Sequence, residues 1–350
     1  MELAQRGLDY SKPPTKGRNL RRLLAVLGAV VLATTTLTAC STADPKLAAF
    51  EGITAACTPF KTGAAADQVK ISKTINGKPE ITFPTPLAAK TVETKVLAEG
   101  TGPAFTGNQF VELDFIGLNG NTGKVFQSTS FDNKNLISQY FKSGSDPDFC
   151  DALSGVREGS IAAIVYPAKL LHKNQGIASI GIGAKDDVVF VFKLDKVYLP
   201  QANGASQPQQ DGFPQVVTSA DGVPGLVLQN WHTPAFTKLA METLVKGRGE
   251  VVKLGDTVTV NYAGWLWADS KSQFDSSWTN GSPVQFELRY NKLISGFVKA
   301  LKGQTVGSQV VVVLPPDEAY GSTEQNNIPA NSTLIFVIDI LGTKSSTTSK

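Results

Sequence analysis

The sequence predicts an α+β fold made of two related units in tandem, each an antiparallel twisted sheet wrapped around one short helix. Three observations carry that prediction. The runs QVVVVLP at Gln309 and STLIFVIDIL at Ser332 are continuously β-branched, as strands are when they are central or covered on both faces. SGFVKALKG, from Ser295, sets Phe297, Ala300 and Leu301 on one helical face and stops at Gly303. ALSGVREGSIAAIVYP at Ala152 returns as ALKGQTVGSQVVVVLP at Ala300, with Ala, Leu, Gly, Gly, Ser and Pro recurring at an offset of 148. The same offset relates Phe149 to Phe297 and Phe126 to Phe274, while offsets of 147 and 146 relate Phe115 to Tyr262 and Phe190 to Phe336. At 350 residues, with 41% hydrophobic and 18% charged side chains, the chain has the material for two cores.

The chain opens with an export signal. Lys16, Arg18, Arg21 and Arg22 precede an uncharged apolar stretch from Leu23 to Cys40. Its last residues, Leu37-Thr38-Ala39-Cys40, resemble a bacterial lipobox. That resemblance implies removal of residues 1–39 and lipidation of Cys40; the rival reading is an uncleaved membrane helix at the short limit of bilayer thickness. Either way the remainder lies outside the cytoplasm, and the lipid reading anchors it to the membrane. Residues 1–39 hold six basic and two acidic groups, so the net charge of +3 belongs to the signal, and 27 basic residues face 28 acidic ones in the rest. No basic run follows Cys40, so nucleic acid is not an expected partner.

Residues 40–70 read as a tether and N-terminal extension, residues 71–199 as the first unit, and 200–214 as a linker rich in Pro, Gln, Gly and Ser. Residues 215–343 form the second unit and 344–350 a polar tail. In an oxidising compartment Cys57 and Cys150 are either a disulfide or two separate buried thiols, and the pairing is favoured. In DTVTVNYAGW, Val258, Val260 and Tyr262 share one face and Thr257, Thr259 and Asn261 the other, which predicts a half-buried strand.

Several chemistries are excluded. The two histidines, His172 and His232, have no Cys or carboxylate cluster beside them, so no metal site and no Ser-His-Asp hydrolase is expected. No glycine-rich loop opens a helix after a strand, so no nucleotide cofactor is expected; no cofactor of any kind is. What remains is a site of aromatic and aliphatic side chains with a few polar handles.

Five segments of the second unit, VNYAGW at Val260, QFDSSW at Gln273, LISGF at Leu293, PDEAYG at Pro316 and NIPANSTLIFVIDIL at Asn327, stand in the order and spacing of one family. Over about Gly222 to Gly342 the chain resembles the FKBP-type peptidyl-prolyl isomerases, and Ile71 to Leu199 resembles the same fold more faintly. The resemblance implies that Asp275 lies in an apolar pocket near the Tyr262 hydroxyl. It makes Phe297 the floor, and Tyr262, Phe274, Val284, Ile328 and Phe336 the walls. The Leu293-Ile294 backbone would offer an N–H to one substrate carbonyl, and Tyr320 its hydroxyl to another. Asp275, Tyr320, Ile294, Tyr262 and Phe336 are then the catalytic group, and Phe274, Val284, Leu293, Phe297 and Ile328 bind substrate. The implied partners are proline-containing polypeptides and macrolide inhibitors.

Departures from the family pattern have consequences. Phe297 stands where Trp is common, a smaller ring that loosens the grip on proline or a macrolide. Trp278-Thr279-Asn280 stand where a basic residue often restrains the acid. In the first unit Phe115 replaces the strand tyrosine, Gln127 the aspartate and His172 the second tyrosine, and DPDFC replaces LISGF. That unit is expected to be degenerate, a spacer or peptide-binding surface. The leading functional expectation is an exported, membrane-tethered prolyl isomerase that assists protein folding. A non-catalytic FKBP-like chaperone or adaptor is the alternative, and a solute-capturing lipoprotein is disfavoured by the lack of large α/β lobes.

Overall fold

The β-branched runs pair with one another at the centre of two antiparallel sheets. The computed structural model describes residues 44, 47, 49–227, 235–269, 271 and 273–346. Cys40, the stretch read as an export signal, His232 and the end of the tail lie outside the described residues. Among the described residues no helix is long and apolar enough to cross a membrane.

In chain order the strands are β1 (Lys70–Ile75), β2 (Lys78–Thr82), β3 (Glu93–Ala98), β4 (Gln109–Asn119), β5 (Val125–Ser128), β6 (Ile137–Phe141), β7 (Ile161–Tyr166), β8 (Val188–Val197), β9 (Ala205–Ser206), β10 (Gln215–Thr218), β11 (Pro224–Val227), β12 (Ala240–Lys246), β13 (Thr257–Leu266), β14 (Gln273–Ser276), β15 (Val284–Glu287), β16 (Gln309–Leu314) and β17 (Leu334–Lys344). Two helices lie in equivalent places, α1 (Phe149–Leu153) and α2 (Ser295–Leu301). The first sheet runs β3-β7-β8-β4-β5 with β6 beside β4; the second runs β14-β13-β17-β16-β12-β9 with β15 beside β13. Element for element the two sheets share one topology, and the second gains β9 at its edge. The repeat is structural: Gly117 pairs with Phe190 in the first sheet as Gly264 pairs with Phe336 in the second.

Each sheet wraps its helix on one face. Phe297, Val298, Ala300 and Leu301 of α2 pack under Val258, Val260, Val310, Val312, Phe336 and Ile338. Gly296 makes that approach possible, since a Cβ there would lie 2.3 Å from Leu314 Cδ2. Full burial of each aliphatic side chain contributes about 1.5–3 kcal/mol.

The other face is covered too, which corrects the reading of β13 as half-buried. Ala263 and Trp265 continue the Thr257-Thr259-Asn261 face and join Val311, Val313, Ile335 and Val337 in a second core. The hairpin β10–β11 roofs it with Val216 and Leu226, aided by Phe213 and Phe236. Thr259 and Asn261 are buried through polar partners, Gln285 and Ser277. The first sheet is roofed the same way by Ala65, Ala66, Val69 and Leu87.

Three stretches expected to lie outside the two units are packed or paired with them. Part of the stretch read as tether is packed: Ala49 is buried in the second unit's core beside Phe50 and Ile53. Its carbonyl accepts from Asn203 Nδ2 at 2.7 Å. The linker is not a free spacer, because β9 pairs with β12 and the Gln210 N–H donates to Glu242. β17 runs one residue into the tail, where Lys344 Nζ donates to Glu112 Oε2 at 2.5 Å. Glutamines and backbone amides can satisfy a sheet edge, a capacity that linker-like composition hides.

The joint between the units is polar at its centre. Tyr198 donates to Glu112 and packs against Gly342, where a Cβ would come 2.4 Å from its Cδ1, and Gln285 donates to the same carboxylate. Burial pushes the Glu112 pKa up, but hydrogen bonds from Lys344 and Gln285 and the Lys344 charge outweigh it and leave the pKa lowered. Beside this joint Asp339 is fully buried, accepting from the Ala202 N–H and from Gln309 Nε2. Burial raises its pKa from 3.8 to about 6.

Two predictions follow from this packing. Cys57 and Cys150 are disulfide-bonded across 93 residues, so Cys57→Ser with Cys150→Ser should lower stability by about 4 kcal/mol in urea titrations. The Asp339 pKa is raised on folding, so the unfolded chain releases this proton first as pH rises. The stability it confers is full below about pH 4 and lost through about pH 6. The Tm of the native chain should therefore fall relative to that of Asp339→Asn across this window, and a constant gap would contradict the assignment.

Candidate functional site

A glycine and a bulge set the site's wall. Gly264 on β13 lies between Asp275 on β14 and Phe336 on β17. A Cβ at Gly264 would come 2.5 Å from Phe274 Cζ and 2.8 Å from Phe336 Cε1, so only hydrogen fits beside both rings. The β13–β14 register shifts between Gly264 and Trp265, setting Phe274 and Asp275 against a single residue. Such a bulge re-aims side chains. Phe274 packs edge-on against Phe336 at 5.6 Å, and the neighbouring Asp275 accepts from the Tyr262 hydroxyl.

The chain then turns into a one-turn helix, Ser277–Asn280, capped by the Ser276 side chain. Ser277 Oγ accepts from the Tyr262 N–H at 2.9 Å and donates to Asn261 Oδ1, which locks this turn to β13. Asn280 Nδ2 donates to Asp275 Oδ1 at 3.4 Å. A neutral amide therefore takes the place the family pattern gives to a basic residue, and Asp275 is held by two neutral donors.

The floor is aromatic. Phe297 and Phe336, nearly fully buried, meet edge-to-face at 5.5 Å, and Tyr262 stands over them at 6.1 and 6.3 Å. Edge-to-face rings satisfy each other's quadrupoles and hold a fixed shape. Ile328 is buried in the same cluster, with Leu293, Ile294 and Phe274 half-buried at its margin. Val284 pairs with Val260 and is half-buried. The sequence reading missed Phe286, which lies 5.8 Å from Tyr262 and 5.5 Å from Phe297. The signal was present: two residues beyond Val284 in one strand, it shares that residue's face.

The polar handles converge at the rim. Leu293 N–H donates to Arg289 O, while the Ile294 N–H has no partner among the described residues. Tyr320 is 37% exposed. Its loop is tied to α2 because Ser295 Oγ donates to Glu318 Oε2 at 2.6 Å and Lys299 pairs with Glu318. Burial raises the Tyr320 pKa, and the Asp275 charge raises it further. Burial also raises that of Tyr262, joined by its bond to Asp275 and that group's charge. Both phenols stay protonated, Tyr262 as the donor to Asp275 and Tyr320 as a partly exposed donor.

The first unit keeps the rings and loses these handles. Phe149, Phe190 and Phe192 form an edge-to-face and stacked group. Gln127 pairs with Gly117 as Asp275 pairs with Gly264, but Phe115 has no hydroxyl to give it. Both nitrogens of His172 are engaged: Nδ1 accepts from the Gly176 N–H, so Nε2 donates to Asp186 O. A donor role toward substrate, open on the sequence, is thereby removed from His172.

The family model for FKBP-type peptidyl-prolyl cis-trans isomerase matches residues 249–341. The FKBP-type peptidyl-prolyl cis-trans isomerase FkpA of Escherichia coli K12 is 41% identical over 108 residues, 31% of this chain and 38% of that protein. The chain thus spans well under half the length of this relative. An FK506-binding protein of Streptomyces anulatus is 35% identical over 105 residues, 29% of this chain and 84% of that one. FK506-binding protein 1 of Aspergillus oryzae is 32% identical over 106 residues, 28% of this chain and 91% of that one. Among solved structures, Escherichia coli FkpA matches with 33% identity and a TM-score of 0.30, covering 39% of this chain and 54% of that one. The three FKBP domains of wheat FKBP73 match with 18% identity and a TM-score of 0.32, covering 73% and 95%.

Gly264→Ala should lower stability by about 1–3 kcal/mol, since the added methyl must displace Phe274 or Phe336. Urea midpoints give the loss, and aromatic-to-methyl NMR contacts should show the ring displaced. Unchanged contacts would mean that the glycine does not set the wall.

Proposed function

The chain belongs to the FKBP-type peptidyl-prolyl cis-trans isomerase family, and from that membership we propose that its C-terminal unit isomerises X–Pro bonds of extracytoplasmic polypeptides and so assists their folding. An X–Pro bond turns over in tens to hundreds of seconds unaided, because twisting it breaks amide resonance across a barrier of roughly 20 kcal/mol. No nucleophile is needed. The site has only to bind the twisted amide better than either planar form.

The observation that carries this reading is the Tyr262–Asp275 pair set over the Phe297–Phe336 floor. The rings hold the pyrrolidine and exclude water. A dry surface disfavours the charge-separated resonance form that keeps the amide flat. The Ile294 N–H and Tyr320 hydroxyl are donors for the carbonyls on either side of the twisting bond, and a bond that improves during rotation acts on the transition state alone. Tyr262, spent on Asp275, orients that acid rather than the substrate. FK506-type macrolides would compete for the same floor, gripped by a phenylalanine where the family often has an indole.

Export and anchoring through lipidated Cys40 are part of the proposal. Their support is the N-terminal sequence and the Cys57–Cys150 disulfide, a bond that persists in oxidising compartments. Mass spectrometry of the mature N-terminus tests the lipid.

The full chain should accelerate exchange of an X–Pro tetrapeptide measured by NMR. Asp275→Ala and Tyr262→Phe should each lower kcat/KM about tenfold or more, each tenfold step being about 1.4 kcal/mol of transition-state binding. Phe336→Ala should lower it too, with a fold loss as well. Unchanged kcat/KM in folded Asp275→Ala would remove the site from the reaction, and an inactive native chain would leave a binding protein.

A further inference from the structure

The first unit does not fill the space its lost handles vacated. Between β4, β6, α1 and β8 lies an open cavity of about 490 Å3 whose surface is mostly apolar. Phe115, Ile137, Tyr140, Phe149, Phe190 and Phe192 line it, and all but the buried Phe192 are half-buried. That volume suits a two- or three-residue segment rather than a solvent pit. The lining rings are braced against one another at 5.3 to 6.4 Å, so the cavity is preformed.

A second cavity of about 420 Å3 adjoins it, sharing Ser145 and Pro147. Its character is different. Asp146, Asp148 and Asp151 line it with Lys61 as the lining cation, and their combined charge pushes up the Tyr166 hydroxyl after burial has done so. Asp148 accepts from the N–H groups of Cys150 and Gly144, and Asp151 from that of Thr58. These neutral donors fix the carboxylates without cancelling their charge. Asp146 pairs with the exposed Lys173 at 3.0 Å. Within this cavity three carboxylates stand against the lining Lys61 and the Lys173 paired to Asp146, which leaves its own wall net negative, while Lys142 lines the ring cavity beside it. The Cys57–Cys150 disulfide fastens the Thr58–Lys61 segment to α1 and so holds the acidic cavity in shape.

We propose that these joined cavities are a non-catalytic holding site for extended polypeptide segments in which a bulky apolar residue is closely followed by lysine or arginine. The apolar side chain enters the ring-lined cavity, and the cation lies against Asp146, Asp148 and Asp151. Aromatic walls reward any apolar group that buries area, whereas the charged wall selects the neighbour and speeds encounter. The unit binds without turning the chain, because Phe115, Gln127 and the engaged His172 offer no handle to a twisted amide. The proposal stands independently of isomerase activity in the second unit.

Fluorescence anisotropy of labelled, proline-free peptides on the full chain tests it. A Ser-Phe-Ala-Arg-Ser peptide should bind about fivefold tighter than Ser-Phe-Ala-Glu-Ser at low salt, with the preference shrinking at high salt. Replacing Phe by Ser should weaken binding about tenfold or more. Ile137→Arg should abolish binding, while Asp275→Arg in the other unit should leave it intact. Asp151→Asn keeps an oxygen for the Thr58 N–H and should cut the Arg-over-Glu preference, which carries the test should Ile137→Arg fold poorly. Equal binding of the Arg and Glu peptides, unchanged affinity in folded Ile137→Arg, or loss of binding in Asp275→Arg would each overturn it.

Discussion

The absence of a side chain at Gly264 is the constraint on which the C-terminal site depends. Three strands meet at this residue: β13 itself, β14 through Asp275 and β17 through Phe336. Hydrogen at that point lets the Phe274 and Phe336 rings close over the backbone, and the adjacent bulge turns Asp275 toward Tyr262. Remove that vacancy and the acid, the phenol and the floor lose their common geometry together. The first unit retains the same device at Gly117, where a Cβ would strike the Phe126 ring at 2.4 Å. The repeat therefore preserves backbone geometry while its polar chemistry diverges.

That geometry needs rigid sheets, and rigidity here comes from covering both faces. The helix fills one side of each sheet. Segments outside the repeat, residues 64–69 before the first sheet and the β10–β11 hairpin before the second, roof the other. Closely packed interiors resist deformation, so a site built on a doubly covered sheet holds its hydrogen-bond distances better than one on an open sheet. The polar joint at Glu112, Tyr198, Gln285 and Lys344 then links the units through paired groups, each buried charge having a partner.

Legibility in the sequence followed the range of the signal. β16, β17 and α2 were readable because their periodicity is local, and so was the paired identity of Phe149 with Phe297. The union of Tyr262, Asp275, Phe297, Phe336 and Tyr320 was legible only through five segments in family register, since taken singly each reads as core, strand end or turn. What escaped depends on contacts between distant segments. Phe286 had the right parity, but nothing local marked its strand as facing Phe297. Asn280 as the partner of Asp275 requires the turn that Ser276 and Ser277 create. The burial of Ala49, and the pairing of Ala205 and Ser206, occur in stretches whose composition is that of tethers, because the sheet edge and core supply what those residues lack.

The divergence of the two units follows from how little chemistry prolyl rotation requires. Ring walls bind apolar groups whatever their torsion, so losing the Tyr–Asp pair abolishes preference for a twisted amide without abolishing the cavity. In the first unit that loss coincides with new charge: Asp146 and Asp148 occupy the segment where the second unit has Leu293 to Phe297 and an Ile294 N–H unpartnered among the described residues, and Asp151 stands at the position of Lys299. Asp148 caps its own helix and so consumes backbone donors on that side. The second unit leaves such a donor open, and its carboxylate is held by a phenol and an amide rather than by a cation. One scaffold thus reaches two affinities, one for a geometry and one for a composition, by deciding which donors remain unspent at the mouth of the same ring-lined hollow.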